Sequence, residues 1–115
     1  MRHNPYYAPE KFNLEMISFD EPGLSYEFNT LCFWSNDQGM VYSAQDSGCS
    51  CPTPFENYEG ETQNEVLQLL ERVGSPEQAG QIFDAWNGRR DDRKLPKGDR
   101  DEVIFWVKHK LENAI

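Results

Sequence analysis

Long apolar runs are missing from this sequence of 115 residues. No stretch approaches the roughly 18 apolar residues that a membrane-spanning helix needs. Residues 1–5 also lack the apolar segment of a secretory signal. We therefore expect a cytoplasmic location and no membrane partner.

Cysteine is scarce, and its odd number excludes a simple disulfide framework. The three cysteines are Cys32, Cys49 and Cys51. Without a secretory signal they are expected to stay reduced. A bridge between Cys49 and Cys51 would close a very small, strained ring. These two residues are therefore interpreted as free thiols or metal ligands.

Cations are rare in the first part of the chain. Residues 1–71 contain twelve acidic side chains but only two basic ones, Arg2 and Lys11, and the whole chain has a net charge of −9. A continuous acidic face would repel nucleic-acid backbones and attract a basic protein surface. The alternative is that the charge serves solubility alone. For the charge alone solubility is the favoured interpretation, and a basic protein partner is the functional one.

Basic residues are concentrated in a predicted charged linker at about residues 88–98 and just after it. Aspartates are interleaved with them, and no aromatic side chain for base stacking lies among them. Nucleic-acid binding is therefore not expected. The cluster comprises Arg89, Arg90, Arg93, Lys94, Lys97 and Arg100.

Alternation of apolar and polar residues predicts a three-stranded antiparallel β meander, with strands at about residues 12–20, 25–34 and 40–45. The Ser-Asn-Asp-Gln-Gly sequence at residues 35–39 is typical of a hairpin turn. The later part of the second strand is apolar on both faces. We expect it to be covered on both sides.

Three later segments carry helix-start signals, in which a capping residue is followed three positions later by Glu or Gln. They predict helices at about residues 63–73, 76–87 and 100–113. The pairs are Thr62 with Glu65, Ser75 with Gln78, and Asp99 with Glu102. The predicted fold is α+β, a single domain over residues 1–115 with three helices packed on one face of the sheet.

The first eleven residues are predicted to form an extended arm. Tyr6 and Tyr7 lie between Pro5 and Pro9, which favour extended backbone. Paired tyrosines suit contact surfaces. We expect the arm to pack on the protein's own sheet, and docking on a partner is the alternative.

The candidate functional site is a Cys/Pro loop predicted at residues 46–61. Gly48 permits a tight turn, and Pro52 and Pro54 hold the following backbone extended. The favoured interpretation is a structural bend in which Cys49 and Cys51 are small apolar fillers.

Two chemical interpretations of the same loop remain. Asp46, Cys49 and Cys51 are weak candidates for a zinc site that His3 or His109 would complete, although the spacing between the cysteines is shorter than in common zinc motifs. A nucleophilic thiol in this loop would have acidic neighbours, which raise the pKa of a thiol. We therefore predict no catalytic residue and no cofactor.

Residues 46–56 read Asp-Ser-Gly-Cys-Ser-Cys-Pro-Thr-Pro-Phe-Glu, and residues 6–15 read Tyr-Tyr-Ala-Pro-Glu-Lys-Phe-Asn-Leu-Glu. Together with Phe33-Trp34 and the Tyr-Ser-Ala sequence at 42–44, this first half resembles a family of small uncharacterised proteins of actinobacterial tailed bacteriophages. The resemblance implies a phage accessory protein in the host cytoplasm. It carries no catalytic residues over to this chain.

The function predicted from the sequence is a protein-binding module that modulates or inhibits a host protein. The alternatives are a metal- or thiol-dependent enzyme that uses Cys49 and Cys51, and a virion or assembly component. A phage protein is a second class of partner, and exposed strand edges leave a homodimer open. The predicted binding residues are Tyr6, Tyr7, Asp46, Cys49, Cys51, Phe55 and Glu56.

Overall fold

The computed structural model describes residues 1–21, 27–49, 54–88 and 95–113, except for the side chain of Cys49. Within these residues one antiparallel sheet has four strands in the order β1-β2-β3-β4. The strands are β1 (Glu15–Asp20), β2 (Glu27–Ser35), β3 (Val41–Cys49) and β4 (Glu71–Val73).

Three α-helices accompany the sheet, so the predicted α+β class is confirmed. They are α1 (Gln63–Leu67), α2 (Pro76–Gly88) and α3 (Lys97–Glu112), and two short 3-10 helices span Pro9–Phe12 and Glu56–Tyr58. Among the described helices, none has the length and apolar character needed to cross a membrane.

The turn between β2 and β3 was predicted correctly. The Asn36 side-chain oxygen Oδ1 accepts the N–H groups of Gln38 at 3.0 Å and Met40 at 2.9 Å. Gly39 has a φ of 77°, a conformation that glycine adopts at little cost. Strand β3 then continues to Cys49, beyond the predicted end at residue 45, so the first part of the predicted loop is strand.

The prediction of three strands was wrong, because part of the first predicted helix is strand. Helix α1 ends at Leu67, and Glu71–Val73 pairs antiparallel with Val41–Ser43. Val73 is fully buried. The spacing of Val66, Leu69, Leu70 and Val73 suits a helix, but pairing with β3 and burial of Val73 decide the structure, as tertiary context commonly does.

Both faces of the sheet are covered, which corrects the prediction that all helices lie on one face. Leu31 and Phe33 of β2 point into a core formed with α2 and α3, whereas Cys32 and Trp34 point into a second core. The second core includes Val66 of α1. Helix α1 therefore lies opposite the two long helices.

Two of the three predicted helix caps are confirmed. The Thr62 hydroxyl accepts the Glu65 N–H at 3.2 Å, and the Ser75 hydroxyl accepts the Gln78 N–H at 3.1 Å. The third is wrong, because α3 begins at Lys97 with Pro96 as its N-cap. Asp99 lies in the first turn, where its charge favours the helix dipole.

The first strand begins later than predicted. Residues 9–12 form a 3-10 helix, and Asn13 follows with a φ of 53°. This left-handed residue redirects the chain, and β1 starts at Glu15. The predicted arm and the first strand are thus separated by a turn.

Aromatic contacts anchor the layer of α2 and α3 on the sheet. Phe83 meets Phe19 of β1 edge to face, with ring centroids 5.4 Å apart. Trp86 donates its indole N–H to the Asn29 side-chain oxygen at 3.0 Å. Phe83 and Trp86 are each only 1% exposed. These contacts combine apolar burial with a satisfied polar group.

Phe83→Ala should lower the free energy of unfolding by about 3–5 kcal/mol, because it removes a buried ring and leaves a cavity. Phe105→Ala is the matched control, since Phe105 on α3 is 72% exposed. Its effect should be within about 0.5 kcal/mol. Urea denaturation followed by tryptophan fluorescence would measure both, and equal losses would contradict the assignment of the core.

Candidate functional site

The N-terminal arm is hydrogen-bonded to the segment that follows the Cys/Pro loop. His3 and Gly60 form a β-bridge. The His3 N–H donates to the Gly60 carbonyl at 2.8 Å, and the Gly60 N–H donates to the His3 carbonyl at 3.1 Å. The Arg2 guanidinium donates to the Glu59 carbonyl at 2.6 Å. The arm is thereby held on the protein's own surface.

Asn4 connects the arm to the loop from a buried position. Its side chain donates to the Pro54 carbonyl at 2.8 Å and accepts the Tyr6 N–H at 2.7 Å. The Trp34 indole N–H donates to the Pro5 carbonyl at 3.1 Å. Asn4 and Trp34 are at most 7% exposed, so water cannot hydrogen-bond to their polar groups. The protein's own hydrogen bonds avoid the free-energy cost of leaving these groups unpaired.

Phe55 is the centre of an aromatic cluster that we define as Tyr6, Trp34, Phe55 and Tyr58. The Phe55 ring centroid lies 5.4 Å from that of Tyr6, 5.6 Å from Trp34 and 5.3 Å from Tyr58. Phe55 itself is fully buried. The cluster joins the arm, the sheet and the loop in one packed unit.

The backbone of Phe55 is in the left-handed region, with a φ of 60°. This conformation costs a non-glycine residue about 1–2 kcal/mol. Asp46 of β3 stabilises it, because its carboxylate accepts the Phe55 N–H at 2.8 Å and the Ser47 N–H at 3.0 Å. Asp46 therefore holds the end of the loop against the strand that precedes it.

Burial shifts the titration of three groups near this cluster. It raises the pKa of Tyr6 to about 12, and the nearby Asp20 carboxylate adds to the effect. It also raises the pKa of Tyr58, with a smaller contribution from Asp46. The buried Cys32 thiol has its pKa raised by burial and then by Asp20. A thiol of this kind is a poor nucleophile.

Most of the predicted binding residues come together. Tyr6 contacts Phe55, and the Tyr6 and Tyr7 ring centroids are 5.0 Å apart. Asp46 bonds to Phe55, and Glu56 is the next residue. Cys51 and the side chain of Cys49 lie outside the described residues. Whether this set binds a partner stays a prediction.

A metal site is not formed by the part of the chain that the structure describes. No group of three or more His, Cys, Asp or Glu side chains within it could hold an ion. His3 packs edge to face on Phe12 at 6.3 Å. His109 stacks on Phe105 of α3, on the other side of the sheet from Asp46.

Three residues of this unit were missed by sequence reasoning. Trp34 and Tyr58 are recognisable only as apolar residues, and Asn4 gives the ordinary signal of a turn former before a proline. Their roles depend on contacts between distant parts of the chain, such as Asn4 with Pro54. No local pattern reports such contacts.

The surface of this unit carries five glutamates together with Arg2, Lys11 and the N-terminal ammonium. We define the acidic layer as the glutamates of the arm, the loop and α1, some of which also have local partners. The N-terminal ammonium lies 3.7 Å from Glu61, and the Glu65 carboxylate accepts the Glu61 N–H at 3.4 Å. The members are Glu10, Glu56, Glu59, Glu61 and Glu65.

Asp46→Ala should lower the free energy of unfolding by about 1–3 kcal/mol, because it leaves the part-buried Phe55 N–H without an acceptor. Asp46→Asn keeps one side-chain oxygen and should cost less. Chemical denaturation of both variants measures the difference. A loss of equal size in the two variants would show that the carboxylate acts through charge alone.

Stability should fall between about pH 10 and pH 12 through Tyr6. The unfolded phenol ionises near pH 10 while the folded phenol stays neutral to about pH 12, so alkali favours unfolding in this range. Tyr6→Phe removes this contribution and should flatten the decline. Thermal melts across the range measure it, and unchanged pH dependence in the variant would contradict the assignment.

Comparison with known proteins places this unit within a described family. A family model described as "Domain of unknown function (DUF7574)" matches residues 3–94, which include most of the arm, all four strands, α1 and α2. No curated protein and no solved structure gives a significant match. Since the match covers most of the chain, the protein belongs to the DUF7574 family.

Proposed function

We propose that this protein is a protein-binding module that docks its acidic layer and Tyr7 on a basic surface of another protein. The resemblance of the first half to actinobacteriophage proteins supports a phage accessory protein acting in the host cytoplasm. Modulation or inhibition of a host protein is the role that this setting favours.

The acidic layer is the observation that carries the proposal. Four of its five members lie within residues 54–67, which contain neither lysine nor arginine. Glu56 and Glu65 are exposed. Glu56 follows the buried Phe55, and Glu65 precedes the buried Val66 of α1, so both are attached to residues packed in the second core. An excess of negative charge steers a partner of the opposite sign and aligns it on encounter.

Tyr7 gives this surface an apolar anchor. Its side chain is 60% exposed, and its ring is supported edge to face by Tyr6. Tyrosine is enriched among the residues that dominate binding energy, because it buries a large ring at a low entropic cost. A supported tyrosine in the same unit as these carboxylates suits a partner with an apolar pocket and a basic rim.

Charge reversal on the acidic layer should weaken the complex by about tenfold or more, which corresponds to about 1.4 kcal/mol. The test variant is Glu10→Lys with Glu56→Lys, because both side chains are exposed. The matched control is Glu77→Lys with Glu102→Lys, which makes the same change in net charge on α2 and α3. Capture from actinobacterial lysate at low salt, followed by affinity measurement on the purified partner, compares them.

Binding should also weaken as salt is raised, because exposed charges are screened. If the two double variants weaken binding equally, net charge alone causes the effect, and a specific acidic surface is contradicted. Absence of any salt-sensitive complex in lysates from infected and uninfected cells would contradict the proposed function. Recovery of the chain from purified phage particles would instead identify a virion component.

A further inference from the structure

Strand β1 forms one edge of the sheet. It pairs with β2 along all six of its residues, from Glu15 with Ser35 to Asp20 with Thr30. No strand among the described residues pairs with its outer side. An edge of this kind presents main-chain donors and acceptors that another strand can use.

The direction of these groups follows from two hydrogen bonds at the ends of the ladders. The Glu21 N–H, just after β1, donates to the Asn29 carbonyl of β2 at 3.0 Å. The Asn36 N–H, just after β2, donates to the Met40 carbonyl, just before β3, at 3.1 Å. In an antiparallel pair, bonded residues alternate along the strand. Odd-numbered residues of β1 therefore face β2, whereas the main-chain groups of Met16, Ser18 and Asp20 face outward.

Within the described residues, the opposite edge of the sheet has two protective features that β1 lacks. Strand β4 is only three residues long, and beyond it the Asp46 carboxylate accepts the Ser47 N–H of β3. Short edge strands and side chains that occupy edge amides both discourage strand addition. The two sides of the sheet thus differ in how open they are to another strand.

The two acidic residues at the ends of β1 are exposed, and the carboxylate of each also has a partner within the protein. Asp20 accepts the Thr30 hydroxyl of the neighbouring strand at 2.5 Å, and Glu15 forms an ion pair with Lys110 of α3. Neither contact reaches across the outer side of β1. Between these acidic ends lie Met16, Ile17 and Ser18, which are half-buried, and Phe19, which is buried.

We propose that β1 binds an extended segment of the partner protein as a fifth strand, a hypothesis that rests on the proposed protein-binding function. The segment is apolar at its centre, where it would cover the remaining exposed surface of Met16 and Ile17. It is basic at its ends, where it meets Glu15 and Asp20. A second copy is a poorer occupant, because its edge bears the same carboxylates and each copy carries a net charge of −9.

A short synthetic peptide with lysine at both ends and valine, threonine and isoleucine between them tests this proposal. Its addition should slow hydrogen exchange at the N–H groups of Met16 and Ser18. A control peptide with glutamate in place of each lysine should bind at least about tenfold more weakly. Equal binding of the two peptides would contradict the basic ends.

Ser18→Pro tests the edge itself. Proline removes an outward N–H and leaves the bonds between β1 and β2 in place, as prolines of edge strands do. It should weaken binding of the lysine peptide by about tenfold or more, whereas Ser18→Val should retain binding. Circular dichroism would verify that both variants are folded, and the exchange measurement on the unchanged protein does not depend on either variant.

The outcomes separate this inference from the proposed function. If the peptide does not bind, or protects the acidic layer and not β1, while a basic partner is still captured, the strand-addition hypothesis is wrong and the protein-binding function stands. Unchanged binding by Ser18→Pro would also overturn it. If the protein dimerises without peptide and the N–H groups of Met16 and Ser18 are then protected from exchange, β1 pairs with a second copy and the proposed partner segment is wrong.

Discussion

Strand β2 needs cover on both of its faces, and the rest of the architecture depends on that constraint. Every residue from Thr30 to Ser35 is buried. Its main-chain groups are paired on both sides by β1 and β3, and its side chains alternate between two cores. A single layer of helices could bury Leu31 and Phe33 but would leave Trp34 in water. The arm, the loop and α1 supply the second layer.

The two layers are stabilised by different means. Helices α2 and α3 are long enough to present continuous apolar faces, so burial of side chains such as Phe83 and Val107 dominates there. The second layer consists of two 3-10 helices and a five-residue α1, which would not form alone. Specific hydrogen bonds from Asn4, Trp34 and Asp46 hold these pieces in place, and the aromatic cluster fills the space beneath them.

Patterns of neighbouring residues predicted those elements whose causes are local. The hairpin turn needs only Asn36 and Gly39, and the caps at Thr62 and Ser75 need a partner three residues away. Strand β4 was missed because its stability comes from pairing with Val41–Ser43, far away in sequence. For the same reason Tyr6, Asp46 and Phe55 could be singled out individually, whereas the packing that joins them through Asn4 and Trp34 could not be foreseen.

The order of the chain determines which part of it covers each face of the sheet. The arm, the loop and α1 come from the acidic first 71 residues and cover one face, whereas α2 and α3 come from the nearly balanced remainder and cover the other. Because the second layer depends on buried hydrogen bonds and aromatic packing, its exposed positions are not needed for folding and can accumulate glutamates. Such a surface retains its charge pattern only while the aromatic cluster beneath it is intact. Substitutions of Phe55 or Asn4 should therefore alter the proposed binding only indirectly, and tests of the acidic layer should use exposed positions.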